Sequence, residues 1–66
     1  MKEYIIKVLF LNDKNIFIHV MKNNRGKFYF IVFENLNDPV ELFCSSEFNS
    51  IDECLINAET HLTKNF

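Results

Sequence analysis

Four short runs of β-branched and aromatic residues, each closed by a cluster of asparagine and aspartate, constrain this chain to an antiparallel meander. The runs cover residues 3–11, 16–22, 27–34 and 40–45. Between them stand Asn12-Asp13-Lys14-Asn15, Asn23-Asn24-Arg25-Gly26 and Asn35-Leu36-Asn37-Asp38-Pro39. Asn and Asp tolerate left-handed backbone, and Gly26, the chain's one glycine, carries no steric penalty there. Connections of four or five residues suit hairpins, whereas parallel strands need a crossover of a dozen residues or more.

A helix follows the last run. Ser50, with Glu53 three residues on, forms the capping-box pattern, and Asp52 and Glu53 suit the positive end of a helix dipole. Ile51, Cys54, Leu55, Ala58 and Leu62 then recur at the spacing of one helical face, and Phe66 continues the stripe. The expected architecture is a single small α+β domain, residues 1–66. It is a three- to four-stranded antiparallel meander followed by one C-terminal helix packed on one face, in the order β-β-β-β-α.

Side chains alternate between the two faces of a strand. Strict alternation groups Tyr4, Ile6, Val8 and Phe10 against Ile5, Lys7, Leu9 and Leu11 in the first strand. It groups Ile16, Ile18 and Val20 against Phe17, His19 and Met21 in the second, and Phe28, Phe30 and Val32 against Tyr29, Ile31 and Phe33 in the third. In the fourth it sets Val40, Leu42 and Cys44 against Glu41 and Phe43. Neither face alternates with polar residues as a solvated antiparallel face does. One helix covers one face, and leaving large apolar side chains wet on the other forfeits ~1.5–3 kcal/mol each. A domain of 66 residues buries only ~60% of its unfolded surface, and its single core supplies ~3–5 kcal/mol. Association is therefore the expected remedy, as a homodimer or on a different protein. Phe17, Met21, Tyr29, Ile31 and Phe33 are the candidate contacts.

Charge is divided along the chain. Residues 1–33 hold Lys2, Lys7, Lys14, Lys22, Arg25 and Lys27 against Glu3 and Asp13, a balance of +4. Residues 34–66 hold seven acidic residues against Lys64, a balance of -6, and the whole chain carries -2. An acidic helix bearing Asp52, Glu53 and Glu59 steers the molecule toward a basic partner, such as a protein that handles nucleic acid. A basic turn of Lys22, Arg25 and Lys27 is the alternative, a phosphate-binding site. The acidic total and scattered lysines argue against direct nucleic-acid binding.

Little else points to chemistry. Cys54 sits on the helical stripe and Cys44 alternates with Val40 and Leu42, so both are expected in the core. The paired Cys and His spacings of zinc sites are missing, so no metal or cofactor is expected. His19, between Phe17 and Met21, is expected as a partly buried, hydrogen-bonded residue without a catalytic partner. Ser45-Ser46 lacks a nucleophile elbow and is expected to end the fourth strand. The aromatic run Phe28-Tyr29-Phe30 could stack bases, but the glycine-flanked motif of RNA-recognition sheets is absent. No secretory signal and no membrane-spanning run is read, so the expected compartment is the cytoplasm with reduced thiols.

Residues 27–62 resemble the antitoxin domain of the HicB family. The likeness lies in Phe33-Glu34-Asn35-Leu36-Asn37 at the turn, Ser50-Ile51-Asp52-Glu53-Cys54-Leu55 at the helix start, and Asn57-Ala58 after it. Cys54 stands where the family has alanine. The resemblance implies a small non-catalytic module that neutralises a ribonuclease toxin by covering it. The functional expectation is thus a non-enzymatic protein-binding module, an antitoxin-like or phage-type inhibitor occluding a nuclease or another nucleic-acid-processing complex. The alternatives are a small nucleic-acid-binding domain using the basic hairpin, or a plain homodimeric accessory domain.

Overall fold

The computed structural model describes residues 3–66, apart from the side chain of Asn12, so Lys2 of the basic half lies outside the described residues. Four strands, β1 (Tyr4–Leu11), β2 (Ile16–Lys22), β3 (Phe28–Glu34) and β4 (Val40–Cys44), form one antiparallel sheet in sequential order. The helix α1 (Ile51–Asn65) follows and lies on one face of the sheet. This is the expected α+β meander with one C-terminal helix.

The turns work as their residues suggest. Asn15, Gly26 and Asn35 all take left-handed backbone, at φ 56, 76 and 69. Asn15 also ties two turns together, because its carbonyl accepts from Asn35 N at 2.9 Å. Between β4 and α1 the chain stays on the sheet: Ser45 N donates to Phe30 O, and Phe28 and Phe48 pair in an isolated antiparallel bridge. Ser45 Oγ also accepts from Phe30 N at 2.9 Å, so Ser45 closes β4 while completing the ladder of β3. Ser50 caps α1, its hydroxyl accepting from Glu53 N at 3.1 Å.

The core lies between helix and sheet. Ile16, Ile18 and Val20 of β2 and Phe30 and Val32 of β3 meet Cys54 and Ala58 of α1. The small helical side chains bring the helix axis close to the sheet, and Leu55 and Leu62 flank them. Ile51 is more exposed than its place on the stripe implies, because it sits in the first helical turn beyond the densest packing.

Strict alternation fails at two places, each an irregularity where one strand carries an extra residue. In β1 the register slips between Ile5 and Lys7. Ile6 therefore joins Leu9 and Leu11 against the core, while Val8 and Phe10 pair with His19 and Phe17 on the other face. The expected grouping of Tyr4, Ile6, Val8 and Phe10 is corrected accordingly. In β4 the slip falls at Leu42, so Phe43 pairs with Val32 on the helix side and Cys44 with Ile31 on the far side. Cys44 is exposed, not a core residue; only Cys54 is buried. One extra residue reverses the parity of everything beyond it.

Candidate protein-docking surfaces

The face of the sheet turned away from α1 is built from three strands. Ile5, Val8 and Phe10 of β1 stand opposite Met21, His19 and Phe17 of β2, and these stand opposite Tyr29, Ile31 and Phe33 of β3. All five expected contacts, Phe17, Met21, Tyr29, Ile31 and Phe33, therefore share one face. Ile5, Val8 and Phe10 were missed, because the parity of β1 was counted through the bulge. No signal in the sequence marks it: the extra residue is Ile6, and Lys7 stays in line with Leu9 and Leu11, opposite Val20, Ile18 and Ile16. In the structure Lys7 is exposed.

Aromatic packing on this face is dense without any covering layer. Phe17 is only 4% exposed although it faces away from the helix. Phe33 stacks on it at 5.2 Å between ring centroids, His19 tilts against it at 5.3 Å and Phe10 at 6.3 Å. Such pairs each add about 0.5–1.5 kcal/mol beyond simple burial. Phe10 at the rim remains 55% exposed. His19 packs between rings, 4.8 Å from Phe33, in place of the expected hydrogen-bonded setting. Burial among them pulls its pKa below the ordinary histidine value, which favours the uncharged ring.

The polar groups at the margins are similarly held in neutral form. Tyr29 donates its hydroxyl to the Glu3 carboxylate. That bond, reinforced by burial and nearby negative charge, pushes the phenol up to about 12. Burial, then the carboxylates of Glu41 and Glu3, raise the Cys44 thiol. A raised thiol is a poor nucleophile, because the thiolate is the reactive species.

Asp52, Glu53 and Glu59 are exposed on α1. Cys54 and Ala58 turn toward the sheet, so the acidic residues belong to the layer on the opposite side of the molecule from the aromatic face. The expected protein-binding set therefore divides into two surfaces that one flat partner cannot touch together. Ile56, 64% exposed, stands one turn after Asp52 and one turn before Glu59, an apolar side chain between two carboxylates.

The basic turn is engaged within the molecule. Arg25 forms an ion pair with Glu47, and Lys27 Nζ donates to Asn49 Oδ1 at 2.5 Å. Lys22 Nζ lies 5.6 Å from the centre of the Phe28 ring. Asn23, 6% exposed, organises this turn: its Oδ1 accepts from Arg25 N and Lys27 N, and its Nδ2 donates to Glu47 at 2.6 Å. Lys22, Arg25 and Lys27 thus come together in space, but a phosphate would compete with Glu47 for Arg25.

A shallow groove of about 270 Å³ runs between the end of β4 and the last turns of α1, lined by Phe30, Phe43, Ser45 and His61. His61 stacks on Phe43 at 4.5 Å. The volume falls below the ~300–1,000 Å³ of ordinary small-molecule sites. Among the described residues, no three His, Cys, Asp or Glu side chains gather as metal ligands, and no helix is long and apolar enough to cross a membrane. Searches of protein-family models, curated proteins and solved structures find no match to this chain.

Proposed function

We propose that this chain is a non-catalytic protein-binding module, an antitoxin-like or phage-type inhibitor that occludes a basic nucleic-acid-processing protein. The observation that carries the reading is the division of the surface into an aromatic sheet face on one side and an acidic helix layer on the other. Both are broad contact surfaces, and the groove between β4 and α1 is small. The helix layer gives the partner its sign. Asp52, Glu53 and Glu59 attract a basic surface during encounter, and Ile56 supplies an apolar contact once the surfaces meet. The HicB-like pattern of residues 27–62 points the same way, toward inhibition by coverage.

The reading is tested by capture from the native cells followed by mass spectrometry, and by association kinetics with the protein recovered. A basic nucleic-acid-handling protein is expected, its activity suppressed by the bound chain. The Glu53→Lys/Glu59→Lys variant associates more slowly and with a flatter salt dependence. Unchanged on-rates remove the steering role of the helix. A gel shift of generic oligonucleotide by the chain itself, weakening steeply with salt, replaces the proposal with direct nucleic-acid binding through Lys22, Arg25 and Lys27.

A further inference from the structure

The groove between the end of β4 and the last turns of α1 belongs neither to the acidic layer of the helix nor to the aromatic face of the sheet. Asn57, His61 and Lys64 line it and recur at i, i+4 and i+7, so they form one stripe of α1. Asp52, Ile56 and Glu59 form a different stripe with the same spacing. We infer that this groove captures the carboxyl-terminal residue of another polypeptide, its apolar side chain on the Phe43–His61 stack and its free carboxylate at Lys64. The inference goes beyond the helix-layer reading and does not depend on it.

The sign of the ligand follows from the charges. Lys64 is the only Lys, Arg, Asp or Glu side chain in the groove lining, although residues 34–66 carry seven acidic residues. It enters no ion pair among the described residues. Glu47, next to Ser46 in the chain, is taken up by Arg25 and Asn23, and Glu41 stands opposite Phe33 on the far face. The hydrogen-bonding groups agree. Asn57, Thr60 and Asn65 each give a side-chain proton to a helix carbonyl, and Ser45 gives its hydroxyl proton to Ser46 O. The Lys64 ammonium, the Ser46 hydroxyl and the His61 ring enter no hydrogen bond among the described residues and are open to solvent. A carboxylate, with two acceptor oxygens and a negative charge, suits such donors. The negative end of the helix dipole opposes an anion there, but it is blunted. The carbonyls of Thr60, His61 and Leu62 already accept from Thr63 Oγ1, Asn65 Nδ2 and Phe66 N.

The size of the ligand follows from the floor. The groove holds about 270 Å³, short of the ~300–1,000 Å³ of small-molecule sites but room for one large side chain. Phe30, 3% exposed, forms the bottom, with the Phe43 ring 5.9 Å away and His61 stacked on Phe43. Phe43 is still 41% exposed, an apolar surface for a ligand side chain to cover. The last residue of a polypeptide is the unit that carries a side chain and a free carboxylate on one carbon atom. The residues before it also find a place. β4 ends the strand order, paired with β3 on one side, and an open strand edge accepts an extended chain through backbone hydrogen bonds.

Titration of the full isotope-labelled chain with short peptides, read by amide chemical shifts, tests this. The reference peptide is an acetylated pentapeptide of alternating threonine and valine that ends in phenylalanine with a free carboxylate. Saturable shifts are expected at Ser46, Thr60, His61 and Lys64 in the millimolar range. Amidation of the peptide carboxylate, or Lys64→Gln in the protein, weakens binding about tenfold, as loss of one charge-assisted hydrogen bond does. Lys64→Arg keeps the affinity. Lys64 is exposed, so both variants are expected to keep the circular dichroism spectrum of the unaltered chain. Equal binding of the acid and the amide overturns the inference, as does full affinity in Lys64→Gln. The absence of saturable shifts, or shifts confined to the far face of the sheet, also overturns it. An amidated peptide with an internal aspartate that binds as tightly as the free acid overturns the assignment to a chain terminus. The binding of a basic partner stands or falls separately, on the association kinetics of the Glu53 and Glu59 variants.

Discussion

Asn23 is the side chain whose removal tests the hairpin between β2 and β3 most directly. It is 6% exposed, and all of its bonds are short: Oδ1 to Arg25 N at 2.9 Å, Oδ1 to Lys27 N at 3.0 Å, and Nδ2 to Glu47 at 2.6 Å. Asn23→Ala deletes all three. Each net bond is worth about 0.5–1.5 kcal/mol, and the freed Arg25 N–H recovers water, so the loss is about 2 kcal/mol. For a domain with about 3–5 kcal/mol in total, that is close to half its stability. With a urea slope near 1 kcal/mol/M, the midpoint falls by roughly 2 M at fixed protein concentration. Asn23→Asp separates the roles: it keeps the acceptor for both backbone N–H groups but turns a second carboxylate on Glu47. Glu47→Gln restores a donor across that gap. The double variant is therefore expected to be more stable than the two single losses predict, by about 1 kcal/mol. Circular dichroism in urea measures the unaltered chain and the four variants. An unchanged midpoint for Asn23→Ala refutes the account of the turn, and strict additivity refutes the pairing with Glu47.

Three further outcomes follow from the packing and the perturbed groups. Ile18, fully buried between helix and sheet, is expected to cost about 2–5 kcal/mol on replacement by alanine, whereas Ile56→Ala changes stability by less than about 0.5 kcal/mol; equal urea midpoints contradict the assigned core. Because burial lowers the pKa of His19, its contribution is complete above the ordinary value of 6.5 and is lost as pH falls from there toward the folded-state value. Thermal melts of His19→Phe lack that step, and a step that persists assigns the acid sensitivity elsewhere. Tyr29, held near 12 by Glu3, loses its share of stability as pH climbs from 10 toward 12, and Glu3→Gln brings the phenol down toward 10 in ultraviolet titration; an unmoved titration dissociates the shift from Glu3.

Strands and turns were legible because each is written locally. Asn15, Gly26 and Asn35 take the left-handed backbone their residue types permit, and Ser50 caps the helix its pattern announces. The allegiance of side chains to faces was less legible, because it depends on parity, and parity is a non-local quantity. A single extra residue at Ile6 transfers Val8 and Phe10 from one side of the sheet to the other, although no residue has changed type. In β1 the sequence carries no trace of this, because Lys7, Leu9 and Leu11 share one parity with or without the extra residue. In β4 it carries none either: Val40-Glu41-Leu42-Phe43-Cys44 reads equally well in either phase. What selects the phase is tertiary. With the bulge at Leu42, Phe43 reaches the ring of Phe30 at 5.9 Å and stacks on His61, while the smaller Cys44 goes to the open side. Without it, Phe43 would lie on the uncovered face and Cys44 would lie beneath the helix. The large ring goes where a helix already stands to cover it, which leaves the far face of β4 small and acidic and confines the aromatic surface to β1, β2 and β3.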